Sequence, residues 1–520
     1  MRKGAQKEKE MIRSVMRRVV AVAAATALIT AGFAGVANAA TKTLTIGDTS
    51  DPAPSKYDPY AYSDAQAVFF EALYDQLFVR TAPAAARGVK GSLVTKYTVA
   101  DDKKSITMTL RDNVRFADGT KVDAATVKAN LDRRADATLP SYAKFGKGGT
   151  QEITSVTTSG DFGVTVEFKA AQPNAPYEFT GPSGFIVSKA AAKNPNLLKS
   201  APYGSGPYYL DANKSIKANT YRFQRNPAHW NKAAYPYDVI IYKVYATTQA
   251  HANASAAGQL DVTLQPGSTS VPLLKARKVG LVSKGGNVFF MQWWDKLGKN
   301  YAFTEDKNVR LAFSYATDRE ALVKGLNSGD RPTASLAGKT SIGYSAALDS
   351  TYKYNLAKAK ALLAASKYPN PTFTIVISAN DASIHEALKQ QWAKAGITMN
   401  VKIAANGGEL FGAVRTGAMG IFNFDTNNLV AWGGLMLNSF PNYQSATNAA
   451  IGGAFGALAG DSTNAAKAKA LNEAIVNEAW SLPLRESYSY VGYKKSTVKA
   501  LKVGVNGTTF PLLTEILPVK

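Results

Sequence analysis

The residues able to do chemistry are sparse, and few of them stand in a productive spacing. Gly338-Lys339-Thr340 has the ending of a phosphate-binding loop, but Thr333 stands where its first glycine must be, so the cradle of backbone N–H groups is missing. His385-Glu386 lacks the second histidine of a helical zinc site, and the other histidines, His229 and His251, are scattered. No Gly-x-Ser-x-Gly turn offers a serine nucleophile, and the absence of cysteine removes thiol catalysis, thiolate metal sites and disulfides. A carboxylate pair for glycoside hydrolysis need not be close in sequence; that chemistry stays open with no motif in its favour. No cofactor is implied. What is concentrated is aromatic surface, in Tyr57-Asp58-Pro59-Tyr60-Ala61-Tyr62, Tyr208-Tyr209, Phe289-Phe290-Met291-Gln292-Trp293-Trp294 and the segment around Trp432. Tyr and Trp combine a large stacking face with a polar tip, which suits a ligand cleft, although each cluster also suits a core.

Elements able to position such residues alternate along the chain. Its 520 residues imply two or three domains, and 46% hydrophobic content is enough to bury sizeable cores. Short strands are expected at 44–47, 105–110, 163–168, 238–245, 373–378 and 399–403. In 105–110, Ile106, Met108 and Leu110 alternate with polar residues, as a half-buried strand requires. Asp123 is placed to cap a helix over 124–134, and Asn355 to cap one beginning at Leu356. Ile384, Leu388, Trp392 and Ala395 form one apolar stripe closed by Gly396, so 371–403 reads as strand, helix and parallel strand. The fold class is α/β.

The N-terminus and charge bound the compartment and the partners. Seven basic residues lie within 1–18, an uncharged Ala-rich stretch follows, and Ala37-Asn38-Ala39 ends it, the pattern of a cleaved export signal over 1–39. The formal charge is +23; without the seven basic and two acidic residues of the signal, 54 basic residues face 36 acidic ones. Export disfavours a nucleic-acid partner, and no Lys/Arg-dense block follows the signal. The protein is expected to be periplasmic or held at the cell surface, without a lipid-modified cysteine.

In order along the chain come Leu73-Tyr74-Asp75-Gln76-Leu77, the stretch 109–133 with Asp118-Gly119-Thr120, and Gly204-Ser205-Gly206-Pro207-Tyr208. Arg225 to Trp230, Gly258 to Val262, 306–326 with Val309-Arg310 and Asp318-Arg319, Lys358 to Leu363, and Ala395-Gly396-Ile397 follow. This series resembles the family 5 extracellular solute-binding proteins, the oligopeptide, dipeptide and nickel group that serves ABC importers. The resemblance implies a type II periplasmic-binding-protein fold, two lobes closing on a cleft, with an extra inserted domain. Its layout would be lobe I over 40–79, 181–285 and 486–520, inserted domain II over 80–180, and lobe III over 286–485. It implies no catalysis, membrane permease subunits as partners, a monomer, and a peptide or peptide-like solute. A non-peptide solute (a metal chelate, an oligosaccharide or an anionic opine-like compound) is the alternative, with a wall receptor lacking any transport role behind it.

The expected cleft residues are Tyr57 and Tyr60 after the first strand, Trp293 and Trp294 at a crossover strand, and Trp432 with Asp425. Peptide-binding members of this family follow the Trp432 position with an acidic stretch that pairs with a peptide's ammonium. Here Gly433-Gly434-Leu435-Met436-Leu437-Asn438 follows and carries no carboxylate. A buried ammonium without a counter-charge is costly, so the departure tells against an ordinary free-amine di- or tripeptide and is compatible with an anionic solute.

Overall fold

A computed structural model describes residues 41–53, 56–62, 66–81, 88–139, 141–149, 151–425, 429–438, 440–501, 503 and 510–519. The export signal expected over 1–39 lies outside them. Nine of the described strands join in one sheet: β1 (Thr43–Asp48), β2 (Tyr208–Leu210), β3 (Thr220–Arg225), β4 (Val239–Val244), β5 (Val262–Leu264), β6 (Gly280–Trp293), β7 (Arg331–Pro332), β8 (Met419–Asp425) and β9 (Ser481–Tyr493). They run in the order β8-β6-β9-β5-β1-β4-β3-β2, with β7 paired to β9. β1 is parallel to β4 and β5, with Ile46 opposite Tyr242 on one side and Val262 on the other. β6 and β9 are antiparallel from Gly280–Tyr493 to Gln292–Ser481, with register shifts at Gly285/Asn287 and Phe289/Phe290.

Side-chain alternation along β6 decides where its aromatics go. Val288 and Phe290 enter a core with Leu336, Met436 and Leu471, while Met291 and Trp293 enter a different one with Phe313, Leu388 and Trp392. A strand buried on both faces reads as a near-continuous apolar run, which is how Phe289 to Trp294 reads, with the buried Gln292 as its polar interruption. A further core gathers Leu44, Phe69, Phe70, Tyr221, Tyr242, Val262 and Val491 around β1. Leu77, Ile106, Met108, Val127, Val166 and Phe179 form another, under a separate four-stranded antiparallel sheet.

The local expectations hold. Helix α1 (Ala124–Arg133) starts at Asp123, whose Oδ1 accepts from the Thr126 N–H at 2.7 Å. Helix α2 (Lys307–Ala316) packs on α3 (Leu356–Ala364), which Asn355 caps. Strand Thr372–Ile377, helix α4 (Ala382–Ala393) and strand Thr398–Ile403 form the parallel crossover, with Leu388 and Trp392 fully buried. Gly396 sits at φ +94°, where a side chain is strained, and so terminates the helical segment.

Candidate functional site

Two cavities are lined by residues expected at the site, one basic and one apolar. The basic one is built where α1 ends. Asn130 on α1 donates from Nδ2 to the Val187 carbonyl at 2.8 Å and accepts from the Val187 N–H at 2.9 Å, tying the helix to segment 185–187. The same Asn130 Oδ1 lies 2.5 Å from the Tyr60 hydroxyl, which is also 2.9 Å from the Phe185 carbonyl. Asp58 begins the short Pro59–Ala61 turn by accepting from the Tyr60 N–H, and it pairs with Arg133. Arg134 follows in sequence and is completely buried. Its guanidinium carbon lies 5.0 Å from the Tyr60 ring centroid, and Nη2 is 3.2 Å from the Phe185 carbonyl. Nε and Nη1 have no hydrogen-bond partner among the described residues.

Burial pulls the Arg134 pKa below that of a free guanidinium, with partial compensation from Tyr60. Tyr60, Arg80, Arg134, Ser141, Lys144 and Thr180 line this cavity of about 280 Å³, together with three further neutral residues and no carboxylate. Lys144 is bound to Glu178 at 2.7 Å, and burial also lowers its pKa. Arg80 donates from Nε to Thr180 Oγ1 at 2.8 Å. Two arginines and a lysine, the lysine already paired with Glu178, face one small volume, and the unpartnered nitrogens of Arg134 suit a carboxylate or another oxyanion.

Trp294 contributes to the apolar cavity, just beyond the end of β6. Its indole lies over Gly420 of β8, where a Cβ would come within 2.7 Å of Cζ2. It meets Phe422 edge-on, with ring centroids 5.1 Å apart. Trp294, Ile377, Leu410, Val414, Ile421 and Phe422 are among the residues around a cavity of about 210 Å³.

The remaining expected residues are placed differently. Trp293 projects to the opposite side from the core containing Phe290, meets Phe313 edge-on at 5.1 Å, and is fully enclosed. Trp432, on helix α5 of residues 429–438, is likewise enclosed, among Val288, Phe290 and Ile475, with no partner for Nε1 among the described residues. Tyr57 is half-buried against the β1 core, and its carbonyl accepts from the Tyr74 hydroxyl at 2.5 Å. Asp425 is exposed at the end of β8, opposite Asn287 of β6. Of the six expected residues, Tyr60 and Trp294 line different cavities, Trp293 and Trp432 sit inside cores, Tyr57 is half-buried and Asp425 is exposed.

Sequence reasoning missed Arg80, Arg134 and Lys144. The consecutive Arg133-Arg134 at a helix end was a usable signal for one of them; the others arrive from distant segments. It also missed an ionic cluster beside β9. Arg331 joins Asp349 to the fully buried Glu486, and Arg485 pairs with Asp330 while lying 3.6 Å from the Phe289 ring centroid. Among the described residues, no group of three His, Asp or Glu is placed to hold a metal ion.

Residues 88–471 match the family of bacterial extracellular solute-binding proteins, family 5 (middle). The chain belongs to this family. This family 5 protein is 28% identical over 357 residues to the glutathione-binding protein GsiB of Escherichia coli K12, over 66% of either chain. It therefore spans 66% of the length of that relative. HbpA2 from Haemophilus parasuis superposes with a TM-score of 0.73 at 20% identity, covering 92% of this chain and 100% of that one. NikA from Brucella suis, solved with Fe(III)-EDTA, superposes with a TM-score of 0.71 at 19% identity, covering 91% and 100%. The family 5 chain has the type II periplasmic-binding-protein fold of these structures. No helix among the described residues is long and apolar enough to cross a membrane.

Proposed function

We propose that this protein is the exported receptor of an ABC-type importer, capturing a small anionic, peptide-like solute between two lobes and delivering it to membrane permease subunits. Lobe I would comprise 40–79, 181–285 and 486–520, with 80–180 inserted in it and 286–485 forming the opposite lobe. The receptor acts as a monomer and leaves its solute chemically unchanged. Closure of such lobes excludes water, and each polar contact inside gains strength.

The observation that carries the anionic part of the reading is Arg134, completely buried at a cavity lined from lobe I and the inserted domain, with two of its nitrogens unpartnered among the described residues. A buried cation of this kind is stabilised by an oxyanion that enters the cavity. GsiB, the relative named for binding glutathione, points to the same chemistry, since glutathione is a tripeptide with two carboxylates.

Isothermal titration with reduced glutathione and with its dimethyl ester tests the reading. Glutathione is expected to bind while the diester does not. Equal binding of the ester, or no heat from glutathione and a panel of di- and tripeptides, would overturn it.

A further inference from the structure

The cavity beside Trp294 differs in chemistry from the basic one. Its walls are apolar, from Trp294, Ile377, Val414, Ile421 and Phe422, while Ser378 and Asp381 bring the polar side chains. Leu410 and Phe411, on the helix Gly407–Thr416, also line it and are 36% and 68% exposed, so apolar surface is left in water beside the cavity. The volume of about 210 Å³ exceeds the roughly 150 Å³ of an engineered apolar cavity that holds benzene. One aromatic ring with a short linker fits; a whole peptide does not.

Asp381 stands immediately before α4, where a side chain would ordinarily cap the helix, yet it makes no capping bond. Among the described residues, no hydrogen bond or ion pair engages its carboxylate. Arg485 is close enough to feel the Asp381 charge, but Arg485 is paired with Asp330. His385, one turn along α4, turns Nδ1 to the Asp381 backbone carbonyl instead. The cavity is therefore apolar inside, with one carboxylate among its lining groups that makes no hydrogen bond or ion pair among the described residues and lies in the fields of Arg485 and His385.

The floor is held open by composition. Gly420 leaves room for the Trp294 ring to lie on β8, and Gly417 gives only van der Waals clearance to its Cδ1 edge, at 3.6 Å from a Cβ. The Phe422 ring supports the indole from the side.

We propose that this cavity takes an aromatic side chain of the solute, with an amine adjoining that side chain held by Asp381. The proposal deepens the solute-receptor reading and rests on it for the cavity's place in the solute site.

The test uses the whole protein labelled with 5-fluorotryptophan, with the Trp294 fluorine resonance assigned by its loss in Trp294→Phe. Phenethylamine is the probe and phenylacetate its anionic counterpart. Phenethylamine is expected to move the Trp294 resonance saturably and to bind at least about tenfold more tightly than phenylacetate. Asp381→Asn, which removes no capping bond, should bring the two probes within about threefold of each other. Gly420→Ala should weaken phenethylamine, because the new methyl group displaces the indole. Equal binding of both probes to the wild-type protein, or a phenethylamine response that leaves Trp294 unmoved, would overturn the proposal. Phenethylamine is neither a peptide nor an anion, so the outcomes separate: a retained Trp294 response without glutathione binding supports this cavity and sinks the anionic-solute reading alone.

Discussion

Arg133 and Arg134 are consecutive at the end of α1, and the fold gives them opposite partners. Arg133 closes on Asp58, with Nη1 3.1 Å from Oδ1 and the second nitrogen on the other carboxylate oxygen. Arg134 finds a phenol and a backbone carbonyl, and among the described residues no carboxylate pairs with it. One charge is balanced within the fold; the other leaves a cavity with a standing preference for an anion.

Arg134→Met should therefore separate binding from stability. Removing a buried, uncompensated cation is expected to leave stability unchanged or raise it by about 1 kcal/mol, while glutathione affinity falls at least about tenfold. Asp58→Asn should do the reverse to Arg133, lowering stability by about 1–3 kcal/mol. Urea midpoints and titration calorimetry on both variants check the pair. A large stability loss in Arg134→Met with unchanged affinity would make Arg134 a structural residue.

Trp432 gives a prediction that the sequence alone would have stated differently. As a cleft residue its loss would fall on affinity, but the side chain is 0% exposed among Val288, Phe290, Met436 and Ile475. Trp432→Ala should cost about 3–5 kcal/mol, measured as a drop in the denaturant midpoint. Retained stability with weakened solute binding would return Trp432 to the cleft.

Lys296 should make stability depend on pH. Its ammonium is 6% exposed, has no hydrogen-bond partner among the described residues, and lies 5.3 Å from the centroid of the Trp480 ring. Burial, reinforced by Arg310, pulls its pKa down to about 7 from 10.5. Between those values the unfolded chain binds the extra proton, so stability rises with pH across that window; below about 7 the penalty is fully present. Lys296→Met should stabilise the protein by on the order of 3–5 kcal/mol at pH 6, with the gap closing towards pH 10. Urea unfolding of both proteins at four pH values checks this, and a gap independent of pH would refute it.

Asp75 ties three distant segments together. Its Oδ2 accepts from Ser205 Oγ at 2.9 Å; Oδ1 lies 3.1 Å from His229 Nε2 and accepts from Trp230 Nε1 at 3.2 Å. Asp75→Ala strands these buried groups and should cost about 3 kcal/mol or more. Hydrogen exchange should show protection lost around 204–208 and 225–230 together. Loss confined to the neighbourhood of residue 75 would contradict the shared role.

What was legible from the sequence alone is what short-range physics determines. Asp123 and Asn355 cap helices because the bond spans three residues. The stripe Ile384, Leu388, Trp392 with Gly396 after it specifies a helix and its end, and the crossover around it follows from handedness. The ordered motifs around Asp75, Gly204 and Arg225 announced a family, and the structure shows these three segments meeting at one carboxylate. What only tertiary structure decided is which aromatics face a cavity. β6 is buried on both faces, so Trp293 and Trp294 carry the same sequence signal while one fills a core and the other lines a cavity. The Arg134 site draws on residues 60–62, 80, 134–144 and 180–183, and β9 pairs with strands roughly 200 residues earlier. Periodicity and capping act over a few residues, whereas the pairing of a buried charge depends on which distant carboxylate the folded chain brings to it.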